Sequence, residues 1–488
     1  MRSKIIYRFA STKPKEIDPI VLDEIFKKNK PVKRYRLIIR NNKLRSNETP
    51  NSTTSADQLK ILDENLKKFK NAPINFNYYL RNIAGLKTSS QLPYKFGENQ
   101  IITSDKNETL QKVLWKFNAP IRFAAGYGSG VFTQANQKVS ESKPQMDMIY
   151  AVSYPDHWHA LNLHQFPEHY SFLRIGGSGL IGKVQDLGAG VYFNPYVDME
   201  GCQIKYGVTS MTNLMNDLIN WDTFYLSGRL HKPINIMRNS PNIQLLNQFN
   251  LINAIKLSLL LNSDRGTEFS MSKEELFHLI TSLSYHGDPR VQLGGESRDK
   301  VSNIVSGQYD KLDWMYDPLL RSYFADVVQF ETDSTFKVNL STDAQSRMIV
   351  DLPKSFRKKI YAKYADKYSK EFSEDIIAQK LLNPIENVVA PELSDLSFIE
   401  LQTISNSDLS KLPIQDYEYI SNNIKCKSSF PLKIAEDENL KHNLYQALKE
   451  TIYKPAFLQS VKGIATAGVT KSIKYAWAKR KKYNSSIN

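Results

Sequence analysis

Apolar positions along the chain follow two rhythms, and the change between them divides it. Between about residues 75 and 235, short runs rich in β-branched and aromatic residues read as strands: IRFAAGY (121–127), MDMIYAVSY (146–154) and CQIKYGVTS (202–210). Helical stretches such as TNLMNDLINWDTFYL (212–226) alternate with them. From 236 to 345 the helical period dominates. LLNQFNLINAIKLSLLLN (245–262) is interrupted by Asn247, Gln248, Asn250, Asn253 and Lys256. It reads as a buried helix, because a membrane span needs roughly 18–20 predominantly apolar residues. MSKEELFHLITSLSY (271–285) opens with a capping box, Ser272 to Glu275, and TFKVNLS (335–341) reads as a strand. The pattern predicts an α+β chain. Residues 71–235 form a mixed sheet with helices, 236–345 a mainly helical, winged-helix-like unit, and 346–488 a C-terminal region of helical pieces and polar intervals.

Two Gly/Ser turns follow apolar runs. The later one, Gly177-Ser-Gly179-Leu-Ile-Gly182, fits G-x-G-x-x-G, and Lys183 brings it near a phosphate-binding loop. Position 184 is Val, so the metal-binding hydroxyl is missing, and Asp198, at the offset of a ribose-binding acid, falls in hairpin-like text. A glycine-rich β-turn is the expectation there. The earlier turn, Gly128-Ser129-Gly130, lies between a strand and a second strand that carries Asp147. Strand, Gly-Ser turn, helix start, then a strand with an aspartate is the signature of polymerase-β-like nucleotidyltransferases. Small residues let backbone amides and the Ser129 hydroxyl approach a triphosphate, while Asp147 holds Mg²⁺ against the same phosphates. Such enzymes usually place a second acid two residues on, where side-chain alternation returns to the same face. Here that position is Ile149.

Charge and cysteine content narrow the setting. A net charge of +15 makes polyanions, whether nucleic acid, nucleotides or an anionic membrane, available partners. Two cysteines, Cys202 and Cys426, give no disulfide framework and fit a reducing compartment. The start, MRSKIIYRFASTKPK, is basic and acid-free, which suits a mitochondrial transit peptide, and an Asn/Ser/Thr-rich linker follows within residues 1–70. Four of the eight histidines, His157, His159, His164 and His169, cluster in one stretch. Their spacing matches no standard zinc pattern. Near the other end, VTKSIKYAWAKRKKY (469–483) is a basic amphipathic helix in outline. Ile473 and Trp477 share one face, with Lys474, Lys479, Arg480 and Lys481 among the cations, as an interfacial anchor requires.

Longer strings in order, AGYGSGVFTQ (125–134), MDMIYAVSYPDHWHALNLHQFPEHYSFL (146–173), GAGVYFNPYVDMEGCQIKYGVTS (188–210), DLINWDTFYLSGRLHKPI (217–234) and SLSYHGDPR (282–290), carry a resemblance. The chain resembles the mitochondrial CDP-diacylglycerol synthase family, also called the translocator assembly and maintenance proteins. The resemblance implies a peripheral enzyme on the matrix side of the mitochondrial inner membrane. Its substrates would be CTP and phosphatidate, its products CDP-diacylglycerol and pyrophosphate for cardiolipin synthesis, and its cofactor Mg²⁺. Anionic inner-membrane lipids are the expected surface, and nucleic acid is not an expected partner. A single acid at Asp147, with an aliphatic residue at 149, is normal under that resemblance.

Roles follow from bringing two anions together at one phosphorus, which demands positioning and charge neutralisation. Gly128, Ser129 and Gly130 are the expected triphosphate cradle, Asp147 the first metal ligand, and Lys205 a phosphate-neutralising catalytic residue, with an ordinary exposed strand lysine as the alternative. Asp288 is a second candidate metal ligand and catalytic residue, with the alternative of capping a helix and pairing locally. Arg290 and Lys300 are candidate phosphate binders, and Glu296 extends that patch. His169, Tyr170 and Ser171 are candidates for shaping the pocket, and Trp158 for the core. An RNA-directed nucleotidyltransferase and a non-enzymatic membrane assembly factor are the alternative functions, the latter kept open by Ile149.

Overall fold

The computed structural model describes residues 97–135, 145–292, 299–365, 367 and 430–467. The basic start and linker, Glu296, and the segment carrying Ile473, Lys474, Trp477, Lys479, Arg480 and Lys481 lie outside these residues.

Period-two alternation builds the principal sheet from β1 (Phe123–Tyr127), β2 (Met146–Val152), β3 (Val191–Met199), β4 (Cys202–Ser210) and β5 (Ile234–Arg238). Its order is β3-β4-β2-β1-β5, with β2 and β4 parallel and the other neighbours antiparallel, so the sheet is mixed. The β3–β4 hairpin turns on Glu200-Gly201, both at positive φ, which matches the twist of its strands. One face of the sheet contributes Phe123, Ala125, Ile149, Ala151 and Phe193 to a small core, closed by Leu214 and Leu218 of α4 (Met211–Asn220). The opposite face contributes Ala124, Met148, Tyr150, Ile204, Tyr206 and Val208 to the main core.

Helices α1 (Asn107–Leu114), α2 (Pro155–Gln165) and α3 (Gly177–Asp186) flank the sheet. Here the glycine-rich stretch departs from expectation: it is helix α3 and not a β-turn. Ile181 and Gln185, spaced by four, are buried. Gly182 lets Asp156 approach so closely that a Cβ would stand 1.8 Å from its Oδ1. The helical run expected to Leu226 also stops early, at Asn220. Trp221 adopts a left-handed conformation with φ 54°, and the following short loop leads into α5 (Ser227–Leu230).

The expected buried helix is α6 (Pro241–Leu260), in which Asn247, Gln248 and Asn250 are buried with their polar groups bonded. Asn250 Oδ1, for example, accepts from Trp221 Nε1 at 2.8 Å. Helix α7 (Lys273–Leu283) starts at Ser272, whose hydroxyl accepts from the Glu275 amide at 3.1 Å. The Glu275 carboxylate turns instead to Arg265, so only half of the capping box forms. After α8 (Pro289–Gln292) and α9 (Lys300–Ser322), a small antiparallel sheet pairs β6 (Glu268–Ser272) with β8 (Thr335–Asn339) and β8 with β7 (Val328–Phe330). Past residue 341 come α10 (Thr342–Asp351), α11 (Lys354–Ala365), α12 (Phe430–Ala435) and α13 (Leu440–Ala467). They add Ile349, Phe356, Ile360, Leu444 and Leu448 to the main core. The molecule is α+β, with a mixed sheet and helices. Among the described residues no helix is long and apolar enough to cross a membrane.

Candidate active site

Three neighbouring strands put three polar side chains in one row. Antiparallel register sets Tyr127 of β1 opposite Asp147 of β2, and parallel register sets Asp147 beside Lys205 of β4. Residues in register share a face, so the row follows from pairing alone. Lys205 Nζ stands 3.3 Å from Asp147 Oδ1, with both side chains partly exposed. Oδ1 itself is buried and has no aligned hydrogen-bond partner. The ion pair is close but poorly directed. Lys205 Nζ also lies over the Phe193 ring, 4.6 Å from its centre. That ring can lie there because Gly207 has no Cβ, which would otherwise sit 2.5 Å from Phe193 Cε1.

The Gly128–Gly130 turn closes over this row. Gly128 has φ 79°, a left-handed value that favours glycine, and its missing Cβ would lie 3.4 Å from Asp147 Oδ2. Gly130 packs so tightly on the next strand that a Cβ would be 2.1 Å from the Gln145 carbonyl. The expected helix does not start here. The amides of Val131 and Phe132 both turn back to the Gly128 carbonyl, at 3.0 and 2.9 Å, and a bend follows. Any phosphate at this turn therefore meets a compact loop, with Ser129 exposed, and not a helix dipole. The loop's far end is tied to α9, where the Ala135 amide donates to the Asn303 carbonyl at 3.0 Å. That tie brings the first turn of α9, which holds Lys300, toward the loop.

Beyond Tyr127 the row continues through a residue the sequence did not single out. The Arg229 guanidinium covers the Tyr225 ring at 3.6 Å and the Tyr127 ring at 5.9 Å. Its Nη1 donates to the Tyr225 carbonyl, while its Nε is buried without a partner. Burial raises the Tyr127 hydroxyl pKa above its ordinary value, as does the nearby Asp147 charge, with Lys205 and Arg229 pulling the other way. Arg229 sits on the four-residue α5, and what aims α5 is Asp217. The buried Asp217 carboxylate accepts from the amides of Thr223, Phe224, Leu226 and Ser227 at 2.8–3.0 Å. Those bonds hold Trp221 and Phe224 at positive φ, a conformation that costs roughly 1–3 kcal/mol each in ordinary residues.

Arg290 and Asp288 lie on the Arg229 side of the site. Asp288 is buried, and both of its oxygens accept from Arg290, Nη2 to Oδ2 at 2.5 Å and the Arg290 amide to Oδ1 at 2.9 Å. Burial pushes its pKa up, but the Arg290 hydrogen bonds and charge outweigh that and hold it below the usual carboxylate range; Arg229 adds to the effect. Of the two roles open to Asp288, this geometry fits the orientation of Arg290 at the start of α8. Lys232 and Lys300 flank the Tyr285 ring at 5.1 and 5.9 Å, and Lys232 Nζ also donates to Ser284 Oγ at 2.7 Å. The site thus gathers Lys205, Arg229, Lys232, Arg290 and Lys300 around one face of the sheet's three inner strands and three tyrosines.

Ile149 shares the Asp147 face, yet it is packed in the small core with Ala125 and Phe193. A carboxylate there would be stranded in hydrocarbon, which is the physical reason for a single acid. Among the described residues no cluster of three or more His, Cys, Asp or Glu side chains stands ready for a metal. Asp147, with its unbonded buried Oδ1, fits a cation that takes most of its ligands from a bound phosphate chain.

The histidines lie elsewhere. His159 is fully buried, its Nδ1 2.9 Å from Tyr170 Oη and its Nε2 2.9 Å from Gln185 Oε1. Burial lowers its pKa to about 4. His169 Nδ1 meets Tyr206 Oη at 2.8 Å. Tyr206 faces the main core, so His169 and Tyr170 belong to the opposite side of the sheet and do not line the Asp147 row. His157 and His164 are exposed, and Trp158 is buried in the core.

Comparison with known proteins gives this geometry a lineage. A family model described as phosphatidate cytidylyltransferase, mitochondrial, matches residues 110–482. A Saccharomyces cerevisiae protein of that name is 42% identical over 285 residues, covering 56% of this chain and 71% of its own length. The Schizosaccharomyces pombe protein is 35% identical over 388 residues, covering 79% and 86%. The Dictyostelium discoideum protein is 30% identical over 447 residues, covering 86% and 96%. The match spans Asp147, Lys205, Arg229 and Arg290 alike, and the chain belongs to the mitochondrial phosphatidate cytidylyltransferase family.

Proposed function

We propose that the chain transfers CMP from CTP to phosphatidate, giving CDP-diacylglycerol and pyrophosphate, at the Asp147 row. The single observation that carries this reading is the Asp147–Lys205 pair beside the Gly128 turn, in a chain of this family. A phosphatidate oxygen attacks the α-phosphorus of CTP, and the bond to the bridging oxygen of pyrophosphate breaks. Both reactants are anions, so the protein's main work is to neutralise and align them.

The Gly128–Gly130 loop supplies close backbone approach for the triphosphate, and Lys205 meets phosphate oxygens once it leaves Asp147. Arg229, preorganised on Tyr225 and Tyr127, supplies a fixed guanidinium charge beside the row where negative charge develops. Arg290 is held ready by Asp288, and Lys300 and Lys232 complete the positive wall. Asp147 would hold Mg²⁺ together with nucleotide phosphate oxygens; when bound, the ion would neutralise phosphate charge. The sheet with its Gly-Ser turn and acid-bearing neighbour strand is read as a polymerase-β-like core. The helices α6, α7 and α9 with the small sheet are read as a winged-helix-like unit. The setting is the matrix face of the mitochondrial inner membrane, reached with a transit peptide and held peripherally.

The test is direct. Purified protein, labelled CTP, Mg²⁺ and phosphatidate vesicles should yield CDP-diacylglycerol and pyrophosphate in equal amounts. Incorporation of label into RNA, or no product from any acceptor, would replace this reading with a nucleic-acid transferase or an assembly factor.

A further inference from the structure

Two separate segments carry apolar side chains into solvent and meet at one junction. The short 3₁₀ turn Phe172–Gly176 and α3 form one side, exposing Phe172, Ile175, Leu180 and Leu187. Ile175 is 87% exposed, an extreme value for an isoleucine. Helix α13 forms the other side. Its inner face is fastened to this region: Lys462 Nζ donates to the carbonyls of Gln185 and Leu187 at 3.0 and 2.7 Å, and Gln459 Nε2 donates to that of Val191 at 3.2 Å. Gly188 is packed so closely that a Cβ would meet Leu458 Cβ at 3.0 Å. The outer face of α13 exposes Tyr453, Phe457, Val461 and Ile464, each about half accessible. Their spacing of four, four and three residues makes one helical stripe. The Tyr453 and Phe457 rings are parallel within 4°.

Charge distinguishes this junction from an ordinary sticky patch. Residues 171–185 contain Arg174 and Lys183 and no carboxylate. From residue 451 to 488 there are eight cations and no acidic side chain, and of the eight Lys462 is turned inward to the Gln185 and Leu187 carbonyls. In sequence the α13 stripe is followed by the basic stretch 469–483, while Asp186 at the end of α3 and Asp156, packed against Gly182, interrupt the positive rim. Exposed apolar groups rimmed by cations match the headgroup boundary of an anionic bilayer, where carbon is buried and Lys and Arg meet lipid phosphate.

We propose that the junction of the Phe172–Gly176 turn, α3 and the outer face of α13 lies directly on an anionic bilayer. The folded body itself is thereby docked, in addition to any hold by the stretch beyond residue 467. The choice of a lipid surface leans on the proposed reaction, whose acceptor is a membrane lipid, so the test keeps the two apart.

Full-length protein is floated with vesicles of phosphatidylcholine containing phosphatidate, and with pure phosphatidylcholine vesicles. Ile175→Glu and Val461→Glu alter exposed positions, with thermal melting checked for each, and Ile175→Ser serves should the Glu variant not fold. Each Glu variant is expected to partition roughly tenfold more weakly onto phosphatidate vesicles, from lost apolar insertion and added repulsion. Turnover of a water-soluble short-chain phosphatidate should stay unchanged. Flotation of both variants equal to wild type overturns the proposal. So does a changed self-association in sedimentation with vesicle binding intact, which would assign the face to a second copy. Absence of product from the soluble substrate in wild type would sink the reaction instead, while flotation still decides the surface.

Discussion

Two faces of one sheet, built from the same strands, carry polar groups to opposite ends. Lys205 and Tyr206 are consecutive on β4, so alternation sends them to opposite sides. The Tyr206 hydroxyl accepts from Asn162 at 3.0 Å and meets His169 at 2.8 Å, inside a network that also includes His159, Tyr170 and Gln185. Lys205 has a carboxylate at ion-pair distance but poorly aligned, next to a loop with an exposed serine. One face joins Tyr206, Asn162, Tyr170, His159, His169 and Gln185 in a buried network, in which burial keeps His159 unprotonated at pH 7. The other leaves charge unspent, at Asp147 Oδ1 and Arg229 Nε. Neutral groups buried among themselves stabilise the fold. Charged groups that reach solvent can meet a ligand.

The largest expected effect separates the faces outright. Asp147→Asn should reduce CDP-diacylglycerol formation on the order of 10³-fold, as expected for loss of an electrostatic group used in the transition state. Its melting temperature should hold or rise slightly, since Asp147 is partly exposed and its ion pair is misaligned. Turnover within threefold of wild type would move the site away from β2.

On the other face, acid should act on stability. The His159 pKa is about 4, below its ordinary 6.5, so the unfolded chain binds the proton first as pH falls. This contribution is whole above pH 6.5 and is lost as pH drops toward 4. Each unit in that window is worth about 1.4 kcal/mol, for a total of about 3 kcal/mol. His231, lowered by burial to about 3, acts in the same direction. Urea unfolding at several pH values should show His159→Gln with a shallower acid slope than wild type. Equal slopes would place His159 in a solvated setting.

Arg229 tests whether preorganisation matters beyond charge. Arg229→Lys keeps the cation but loses the planar stack on Tyr225 and the fixed fork. About a hundredfold loss in kcat/KM is expected, mostly in kcat if Arg229 acts on developing charge and mostly in KM for CTP if it only binds. Less than a threefold change in both would return Arg229 to a purely structural role.

Why was Asp147 legible and Arg229 not? Strands announce themselves by alternation, and Asp147 sits in such a run behind a Gly-Ser turn, so fold class, strands and first acid could all be read locally. Lys205 came with β4. Arg229 depends on Asp217 gathering four amides of a loop that holds Trp221 and Phe224 in left-handed conformations. No short-range pattern encodes that. The one available sign was a buried-looking Asp ahead of a run, NWDTFYLSGR, too polar at intervals to be plain helix. Glycine misled twice. Gly182 lies within a helix, where its missing Cβ makes room for Asp156, and the Gly128 turn leads to a bend because the Gly128 carbonyl captures two amides. Both outcomes rest on contacts that the local sequence does not display.

The smallest effect gives the sharpest contrast, since it uses adjacent residues. Tyr206→Phe removes one hydroxyl from the buried network, so the Asn162 and His169 bonds to it are lost at about 1 kcal/mol each. Packing among Phe117, Tyr150 and Trp158 survives, because the ring remains. Turnover should stay within twofold. Lys205→Met, one residue away, should keep the melting temperature within a degree or two and lose about tenfold in kcat/KM, the share of one partly solvated cation among five. If both variants lost stability and activity together, the two faces would be coupled through β4. The division between a buried hydrogen-bonded side and an open charged side would then fail, even with Asp147 still in place.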